Sequence, residues 1–291
     1  MSRKDIRRSR SEFWVTVCDN NDDDGSYGIL TNEYSLAIIQ HCCPDLENMS
    51  PKEWKVTKND TRHLWIPSNR AIDKEIQAFI QWAEGANEHI WLGTNRNITD
   101  YFCDELSLCV ASDWNIDFET HNRTEVGEAE YNIKYRYPRG EISEAQADGY
   151  AETLSYAIMK CIEYLPLGDV ASLLVTSIPA TPNKLNSLSW EMARYVCEEI
   201  GATLLCATLK TAKQQTKGLS ISEKIDMWNK IFANNGVSLS EKVRRKKVLI
   251  VDDLYQSGTS MWSFAKYLKA LGAADVLGLV AVKSQRDSDN Q

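Results

Sequence analysis

The sequence predicts an α/β fold whose second half forms a parallel sheet flanked by helices. Three observations predict it: aliphatic runs of strand length, helical segments with capping signals between them, and short connections. Strand and helix alternate in this way from about residue 131 to the end of the chain. Such alternation predicts right-handed crossovers, which bring the carboxyl ends of the strands to one edge of the sheet.

Capping signals and aliphatic runs fix the order of these elements. Ser143-Glu-Ala-Gln146 and Ser220-Ile-Ser-Glu223 have the form of capping boxes, and each precedes an amphipathic segment. Gly201 is placed to end the helix between them. The predicted elements after the first helix are a strand over Ala171–Ile178, a helix over Ser187–Ile200, a strand over Ala202–Leu209, a helix to about Phe232, a strand over Lys247–Val251, a helix over Thr259–Leu271 and a strand over Asp275–Val282.

The first 130 residues give a weaker pattern, and we predict a separate α+β region of unknown role. A strand over Phe13–Cys18 and a helix over Asp73–Glu84 are its clearest elements. Six of the nine tryptophans precede Trp190, which favours core packing, with a base-stacking surface as the alternative. Residues 131–291 form the second predicted domain, and the first is expected to serve as a hood over it or as an interaction domain.

Composition excludes several classes of protein. The 33 basic and 41 acidic residues give a net charge of −8, which argues against a general affinity for nucleic-acid phosphates. The basic start of the chain is not followed by a long apolar run, so we expect a cytoplasmic protein with no membrane span. There is no Cys-x-x-Cys and no metal-ligand spacing among the four histidines, and Cys161, Cys197 and Cys206 read as buried free thiols.

The stretch from Val248 to Ser260 suggests a ligand site. Four aliphatic residues lead into Asp252 and Asp253, and Gln256-Ser-Gly-Thr-Ser260 then opens a helix. A small-residue turn at a helix N-terminus suits a phosphate group. Carboxylates beside it repel phosphate but accept hydrogen bonds from the vicinal hydroxyls of a sugar. The motif therefore predicts a ribose 5-phosphate site, and the alternative is a solvated pair of acids in an ordinary loop.

The same stretch resembles the phosphoribosyl pyrophosphate motif of type I phosphoribosyltransferases, and is most similar to the ComF-like branch, in which a tyrosine follows the acids as Tyr255 does here. The resemblance covers about Tyr131 to Ser284 and implies a type I phosphoribosyltransferase-like sheet. Lys134-Tyr-Arg-Tyr137 is similar to the segment before that branch's first helix. The residues similar to its loop and following helix are Lys210, Gln214, Gln215, Gly218, Leu219, Glu223 and Asn229.

Residue roles follow from this resemblance. Asp252 and Asp253 would bind the ribose hydroxyls and act in catalysis, and Lys210 would act in catalysis from the mobile loop that also contains Lys217. The residues expected to bind the 5-phosphate are Gln256, Ser257, Gly258, Thr259 and Ser260. Those expected to bind pyrophosphate are Pro179, Ala180, Thr181, Lys184 and Lys213, although a lysine such as Lys184 in a polar loop is more often simply solvated.

The implied reaction displaces pyrophosphate from C1 of the ribose through a transition state of oxocarbenium character. Mg²⁺ would bridge pyrophosphate and sugar oxygens, with Asp252 and Asp253 contacting it indirectly through ligand or water. Fixed carboxylates would favour positive charge on the sugar. Asp253 is the first candidate to accept a proton from an incoming base.

The sequence departs from the branch in two places. Lys184-Leu-Asn-Ser-Leu-Ser189 replaces its Arg-Gly-Phe-Asn-Gln stretch, and its amino-terminal zinc ribbon is missing. Two hypotheses follow: an enzyme that transfers or cleaves at ribose C1, or a nucleotide-sensing or scaffold subunit of a bacterial DNA-uptake or antiviral defence assembly. The second allows for a homo-oligomer or larger complex and for nucleic acid bound through partners. The run Lys242–Lys247 bears on it, although a basic loop before a strand is usually solvated.

Overall fold

A computed structural model gives the fold, and it describes residues 2–8, 11–20, 24–57, 59–93, 98–181, 187–211 and 218–285. The chain divides into two compact units: Met1–Trp91 with Tyr164–Pro166, and Leu92–Glu163 with Leu167–Gln291. The division into functional domains at residue 130 stays a prediction. No helix in the described part of the chain is long and apolar enough to cross a membrane.

The first unit contains an antiparallel five-stranded sheet in the order β1-β2-β3-β5-β4. Its elements are β1 (Ser2–Arg7), β2 (Trp14–Asp19), β3 (Tyr27–Thr31), α1 (Glu33–Cys42), β4 (Lys55–Val56), β5 (Arg62–Ile66), α2 (Asp73–Ala86) and β6 (Ile90–Trp91), with a 3-10 helix at Pro44–Met49. The ring centroids of Trp82 and Trp91 lie 6.1 and 6.2 Å from that of the buried Phe13, which is core packing. The predicted strand near Phe13 and the helix from Asp73 are confirmed.

The second unit is built on a parallel sheet with flanking helices, as predicted. Its elements are β7 (Leu108–Trp114), α3 (Glu125–Tyr131), α4 (Glu144–Ile162), β8 (Leu174–Ser177), α5 (Leu188–Ile200), β9 (Thr203–Leu204), β10 (Ala207–Leu209), α6 (Ile221–Ala233), β11 (Val237–Leu239), β12 (Lys247–Tyr255), α7 (Thr259–Ala270) and β13 (Asp275–Lys283). The strand order β7-β13-β12-β8-β9 is parallel at every pairing. Strands β10 and β11 form a separate antiparallel ribbon.

Strand β12 is the central strand of this sheet. Val248, Leu249, Ile250 and Val251 are fully buried, and burial stabilises each by about 1.5–3 kcal/mol relative to exposure. The prediction that the strand ends at Val251 is wrong. It continues through both acids to Tyr255, because its backbone keeps pairing with β13 up to the partners Tyr255 and Lys283.

The local signals around this strand are confirmed. Both capping boxes form, at Ser143 and at Ser220, and Gly201 ends α5 with a left-handed φ of 71°. The single strand predicted over Ala202–Leu209 is wrong. The chain leaves the parallel sheet after Leu205, whose amide donates to Val175, and β10 then pairs with β11 instead.

The cysteines among the described residues are free thiols. Cys161 and Cys197 are buried, as predicted, whereas Cys206 is only half-buried because the chain turns there from β9 into β10.

Candidate functional site

A small cavity lies at the carboxyl end of β12. Its volume is about 160 Å³, below the roughly 300–1,000 Å³ of typical small-molecule pockets. The residues that line it are Lys134, Lys224, Asp252, Asp253, Leu254, Tyr255, Gln256, Ser257, Gly258, Thr259, Ser260 and Met261. Both predicted acids and all five turn residues therefore face one cavity.

The turn leads directly into the N-terminus of α7. Gly258 is the N-cap residue, and no side chain caps the helix there. The first amides of an α-helix lack partners within the helix and carry the positive end of its dipole. The hydroxyls of Ser257 and Thr259 lie 2.8 Å apart beside these amides, and the hydroxyl of Ser260 accepts from the Trp228 indole at 3.2 Å. This arrangement suits an anion such as a phosphate group.

Tyr255 explains why the turn requires glycine. A Cβ atom on Gly258 would lie 2.1 Å from the Tyr255 hydroxyl, and the φ of Gly258 is +80°. That hydroxyl is itself fixed, because it accepts from the Trp262 indole at 3.0 Å and donates to the carbonyl of Gly93 at 3.3 Å. The backbone of the turn therefore packs directly against a buried aromatic side chain.

Lys283 supports the turn from the neighbouring strand. Its side chain is buried, and Nζ donates to the carbonyls of Gln256 and Ser284 at 3.2 and 2.7 Å. The ammonium also lies 5.7 Å from the ring centroids of Tyr255 and Trp114, within range of a cation–π interaction. Lys283, the last residue of β13, thus connects that strand to the turn.

The two acids differ in their surroundings. Asp252 is half-buried, and its Oδ1 accepts from the backbone amide of Asp253 at 3.0 Å. Asp253 is buried, and its Oδ2 lies 2.9 Å from Nζ of Lys134. The same ammonium lies 3.2 Å from Oε1 of Glu130, whose side chain is only 4% exposed. A lysine thus bridges one acid of the motif to a third carboxylate.

Burial and charge shift the pKa values of this bridge. Burial raises the pKa of Glu130 above its usual range, although the Lys134 ammonium partly opposes that shift. Burial would lower the pKa of Lys134, but the carboxylates of Asp253 and Glu130 outweigh it and raise that pKa. Lys134 is therefore a permanent cation beside Asp253 at neutral pH.

Lys224 is a second cation that lines the cavity. It is buried and follows the capping box of α6. Lys224, Ile225 and Trp228 are the buried residues of this helix, and Lys224 lies one turn before Trp228. Sequence analysis did not identify Lys224; a lysine on the apolar face of a helix is unusual, and that pattern could have indicated it.

The other predicted site residues lie outside the lining of this cavity or outside the described residues. Pro179, Ala180 and Thr181 follow β8, and the Ala180 carbonyl accepts from the Leu209 amide at 2.9 Å. Lys210 is exposed, and its amide donates to the carbonyl of Gly236 at 2.8 Å. The predicted pyrophosphate ligands Lys184 and Lys213 lie outside the described residues, and so do Gln214, Gln215 and Lys217 of the segment that resembles the mobile loop. Roles in pyrophosphate binding and catalysis stay predictions for all of these.

The second unit is thus a parallel sheet flanked by helices with a cavity at its carboxyl edge, which is the architecture expected from the resemblance to type I phosphoribosyltransferases. A family model described as a phosphoribosyl transferase domain matches residues 188–289, about the carboxyl-terminal third of the chain. The match includes β12, the turn and α7, and it begins after the loop that follows β8.

Solved structures of phosphoribosyltransferases are distantly similar. A hypoxanthine phosphoribosyltransferase from Staphylococcus aureus is 12% identical over 58% of this chain and 70% of its own, with a TM-score of 0.28. A purine phosphoribosyltransferase from Pyrococcus horikoshii Ot3 is 15% identical over 47% of this chain and 83% of its own, with a TM-score of 0.27. A comparison with curated proteins finds no significant match to this chain.

Proposed function

We propose that this protein binds phosphoribosyl pyrophosphate, or a related ribose 5-phosphate ligand, and transfers or cleaves the bond at C1 of the ribose. One observation carries the proposal: two carboxylates and an uncapped helix N-terminus line the same cavity. A sugar hydroxyl donates to a carboxylate, whereas a phosphate accepts from amides and ammonium groups. Asp252 and Asp253 are assigned to the hydroxyls, and the turn from Gln256 to Ser260 to the 5-phosphate.

Two lysines complete the charge pattern of this cavity. Lys134 and Lys224 line it together with the acids and the turn, so the lining contains two lysines and two aspartates. A phosphate dianion entering there would meet the α7 N-terminus and Lys224, while Lys134 is held by Asp253 and Glu130, and attraction in a partly buried site is stronger than in water. This balance supports a ligand that carries both hydroxyls and phosphate.

Magnesium fits the site only as an ion that arrives with the ligand. No group of three or more His, Cys, Asp or Glu side chains in the described ranges is arranged to hold a metal. Mg²⁺ usually keeps several waters and binds through one or two carboxylates plus substrate phosphates, which suits the half-buried Asp252 with Asp253 beside it. Bound there, it would neutralise negative charge on a departing pyrophosphate.

The chemical step breaks the bond between C1 and a pyrophosphate oxygen, and a nucleophile forms the new bond to C1. The leaving oxygen keeps the bonding electron pair, so positive charge grows on the ribose ring. The carboxylates of Asp252 and Asp253 would stabilise that charge from fixed positions. A proton released by the nucleophile would pass to a carboxylate, with Asp253 first to be tested, or to solvent. Lys210 is proposed to act from the loop that follows β10.

A nucleotide-sensing or scaffold role is the second candidate, and a sequence feature favours it. Lys184-Leu-Asn-Ser-Leu-Ser189 departs from the stretch that follows the pyrophosphate loop in the ComF-like branch, and the family match begins only at Leu188. A protein that bound the ribose 5-phosphate end without supporting the leaving group would sense the ligand but not turn it over. Membership of a bacterial defence or DNA-uptake assembly belongs to this candidate.

Isothermal titration calorimetry with phosphoribosyl pyrophosphate and Mg²⁺ tests ligand binding. The wild-type protein is expected to bind, and Asp252→Asn/Asp253→Asn to bind at least about 100-fold more weakly, since each lost charged hydrogen bond costs about 1.5–3 kcal/mol. Lys242→Ala/Arg244→Ala, at the other end of β12, is the matched control and should bind like the wild type. No heat from the wild type, or equal heats from all three proteins, would refute the proposal.

Turnover separates the two candidates. Wild-type protein that binds the ligand is incubated with Mg²⁺ and a panel of nucleobases, and the release of pyrophosphate is measured. Pyrophosphate released with one base, or with water alone, indicates an enzyme. Tight binding with no release under any of these conditions favours the sensing role.

A further inference from the structure

The bridge between Glu130 and Asp253 is a feature that the proposed binding site does not explain. Glu130 lies near the end of α3, and Lys134 follows in a π-helical segment over Asn132–Arg136. Single π-helical turns are rare, and they occur frequently at functional sites. Here the π-helical segment carries Lys134, which contacts both Glu130 and Asp253.

Hydrogen bonds hold this segment in place. Asn132 is fully buried, and its Nδ2 donates to the carbonyl and to Oε1 of Glu128, each at 2.7 Å. Arg136 Nη1 donates to Asn132 Oδ1 at 3.2 Å. The backbone that carries Lys134 is therefore anchored on both sides of that residue.

Glu130 is buried, and one oxygen of its carboxylate lacks a hydrogen bond. Its Oε1 lies 3.2 Å from the Lys134 ammonium but outside hydrogen-bond geometry, and it accepts no hydrogen bond from the described residues. Leaving a buried carboxylate oxygen without a hydrogen bond is destabilising, and more so when the group is charged. The burial of this Glu130 oxygen therefore points to a role other than stabilising the fold.

We infer that Lys134, held by Glu130, is a positioning residue that fixes the Asp253 carboxylate for a ribose hydroxyl. This inference rests on the proposed function. The ammonium takes Oδ2 of Asp253 at 2.9 Å and leaves Oδ1 for the ligand. A carboxylate held on one oxygen cannot rotate freely, so its second oxygen accepts in a fixed direction. Glu130 in turn keeps the ammonium from turning toward the phosphate of the ligand.

The inference predicts selectivity for the sugar rather than for the phosphate. Wild-type protein should bind ribose 5-phosphate at least about 10-fold more tightly than 2-deoxyribose 5-phosphate, because one correctly oriented hydroxyl contributes about 1.4 kcal/mol. In Lys134→Met this preference should fall below about 2-fold. Affinity for inorganic phosphate, which has no hydroxyl to present to Asp253, should change by less than 2-fold. A purely structural role for Lys134 would weaken all three ligands together.

Two further variants keep the test decisive if Lys134→Met folds poorly. Lys134→Arg retains a cation that can contact Asp253, and should restore part of the ribose preference. Glu130→Gln keeps Lys134 but removes the charge that holds it, and should give an intermediate preference. All variants are compared by calorimetry with the three ligands and by thermal melting.

Four outcomes are distinguishable. A wild type that binds neither phosphoribosyl pyrophosphate nor ribose 5-phosphate overturns both the proposed function and this inference. A wild type that binds phosphoribosyl pyrophosphate but shows no preference for ribose 5-phosphate over 2-deoxyribose 5-phosphate overturns this inference alone. A wild-type preference that persists in Lys134→Met overturns the positioning role alone. Loss of the preference in Lys134→Met with unchanged phosphate affinity, and its partial return in Lys134→Arg, supports it.

Discussion

The basic side chains near the two ends of strand β12 differ in their exposure to water. At the amino end the run Lys242–Lys247 contains five basic residues, and Lys242, Arg244 and Arg245 are exposed. Lys247 is partly covered and lies 3.5 Å from Asp275. At the carboxyl end Lys224 and Lys283 are buried, and Lys134 contacts two carboxylates. The run Lys242–Lys247, in which basic residues are closest together in sequence, is thus the more exposed of the two groups.

This difference shows that the fold fixes the charges at the carboxyl end of β12 and leaves most of those at the amino end in water. Exposed ion pairs contribute about 0–1 kcal/mol and are screened by salt. A buried cation needs partners, and those of Lys134 and Lys283 include the Asp253 carboxylate and the Gln256 carbonyl. The exposed side chains of Lys242–Lys247 fit the solvated interpretation, and a nucleic-acid contact at this run stays a prediction.

Matched glycines give the strongest test of the comparison. Gly258→Ala puts a Cβ atom 2.1 Å from the Tyr255 hydroxyl at a φ of +80°, so we expect about 3 kcal/mol or more of destabilisation and over 100-fold weaker binding of ribose 5-phosphate. Gly272→Ala, near the amino end, has a φ of +90° but meets only the flexible Arg244 side chain at 3.2 Å. It should cost about 1–2 kcal/mol and leave binding unchanged.

Denaturant unfolding and calorimetry measure both quantities. Equal binding losses in the two glycine variants would mean that backbone strain anywhere along β12 disturbs the site. The assignment of ligand binding to the carboxyl end of β12 would then be contradicted.

Lysines at the two ends give an intermediate effect. Lys283→Met removes the donor to the carbonyls of Gln256 and Ser284, so we expect a stability loss of about 1–3 kcal/mol and about 10-fold weaker phosphate binding. Lys247→Met breaks a partly covered ion pair with Asp275 and should cost no more than about 1 kcal/mol, with binding unchanged. Unchanged phosphate affinity in Lys283→Met, measured by calorimetry, would show that the turn does not need this support.

The smallest expected effect is a pH dependence caused by Glu130. Burial raises its folded pKa, so the folded state binds this proton more tightly than the unfolded state does. Its contribution to stability is greatest below its unfolded pKa and is lost as pH rises through the folded pKa. The free energy of unfolding of Glu130→Gln relative to wild type should therefore increase as the pH rises from about 4 to 7.

Unfolding curves at several pH values measure this difference, with the exposed Glu241→Gln at the amino end of β12 as the control. A difference that stays flat across the range, or that has the opposite slope, would contradict the assigned surroundings of Glu130.

Local signals in the sequence predicted much of the second unit. Capping boxes at Ser143 and Ser220 and the Gly201 cap depend on residues within one helical turn, and all three form as predicted. Strand β7 was missed, because its short apolar run is followed by the polar Ser112 and Asp113 and the strand is defined by pairing with β13. The break between β9 and β10 likewise depends on a distant partner, β11.

The candidate site divides in the same way. Asp252, Asp253 and the turn are contiguous in sequence, and their common cavity could be predicted from one motif. Lys134 reaches Asp253 from a distant segment through a π-helical turn, which no periodicity of the sequence indicates. Such contacts depend on tertiary packing, so the contact between Lys134 and Asp253 could not be predicted from the sequence.

The continuation of β12 through its acids has a consequence for local opening of the protein. Leu254 and Tyr255 pair with Val282 and Lys283 in the same parallel register that joins the buried interior of the sheet. Amide hydrogens in this ladder should exchange with deuterium as slowly as those of Val248–Val251, since separating them requires breaking the central pairing. The floor of the cavity would then remain assembled in every state short of global unfolding, and ligands would encounter it already formed.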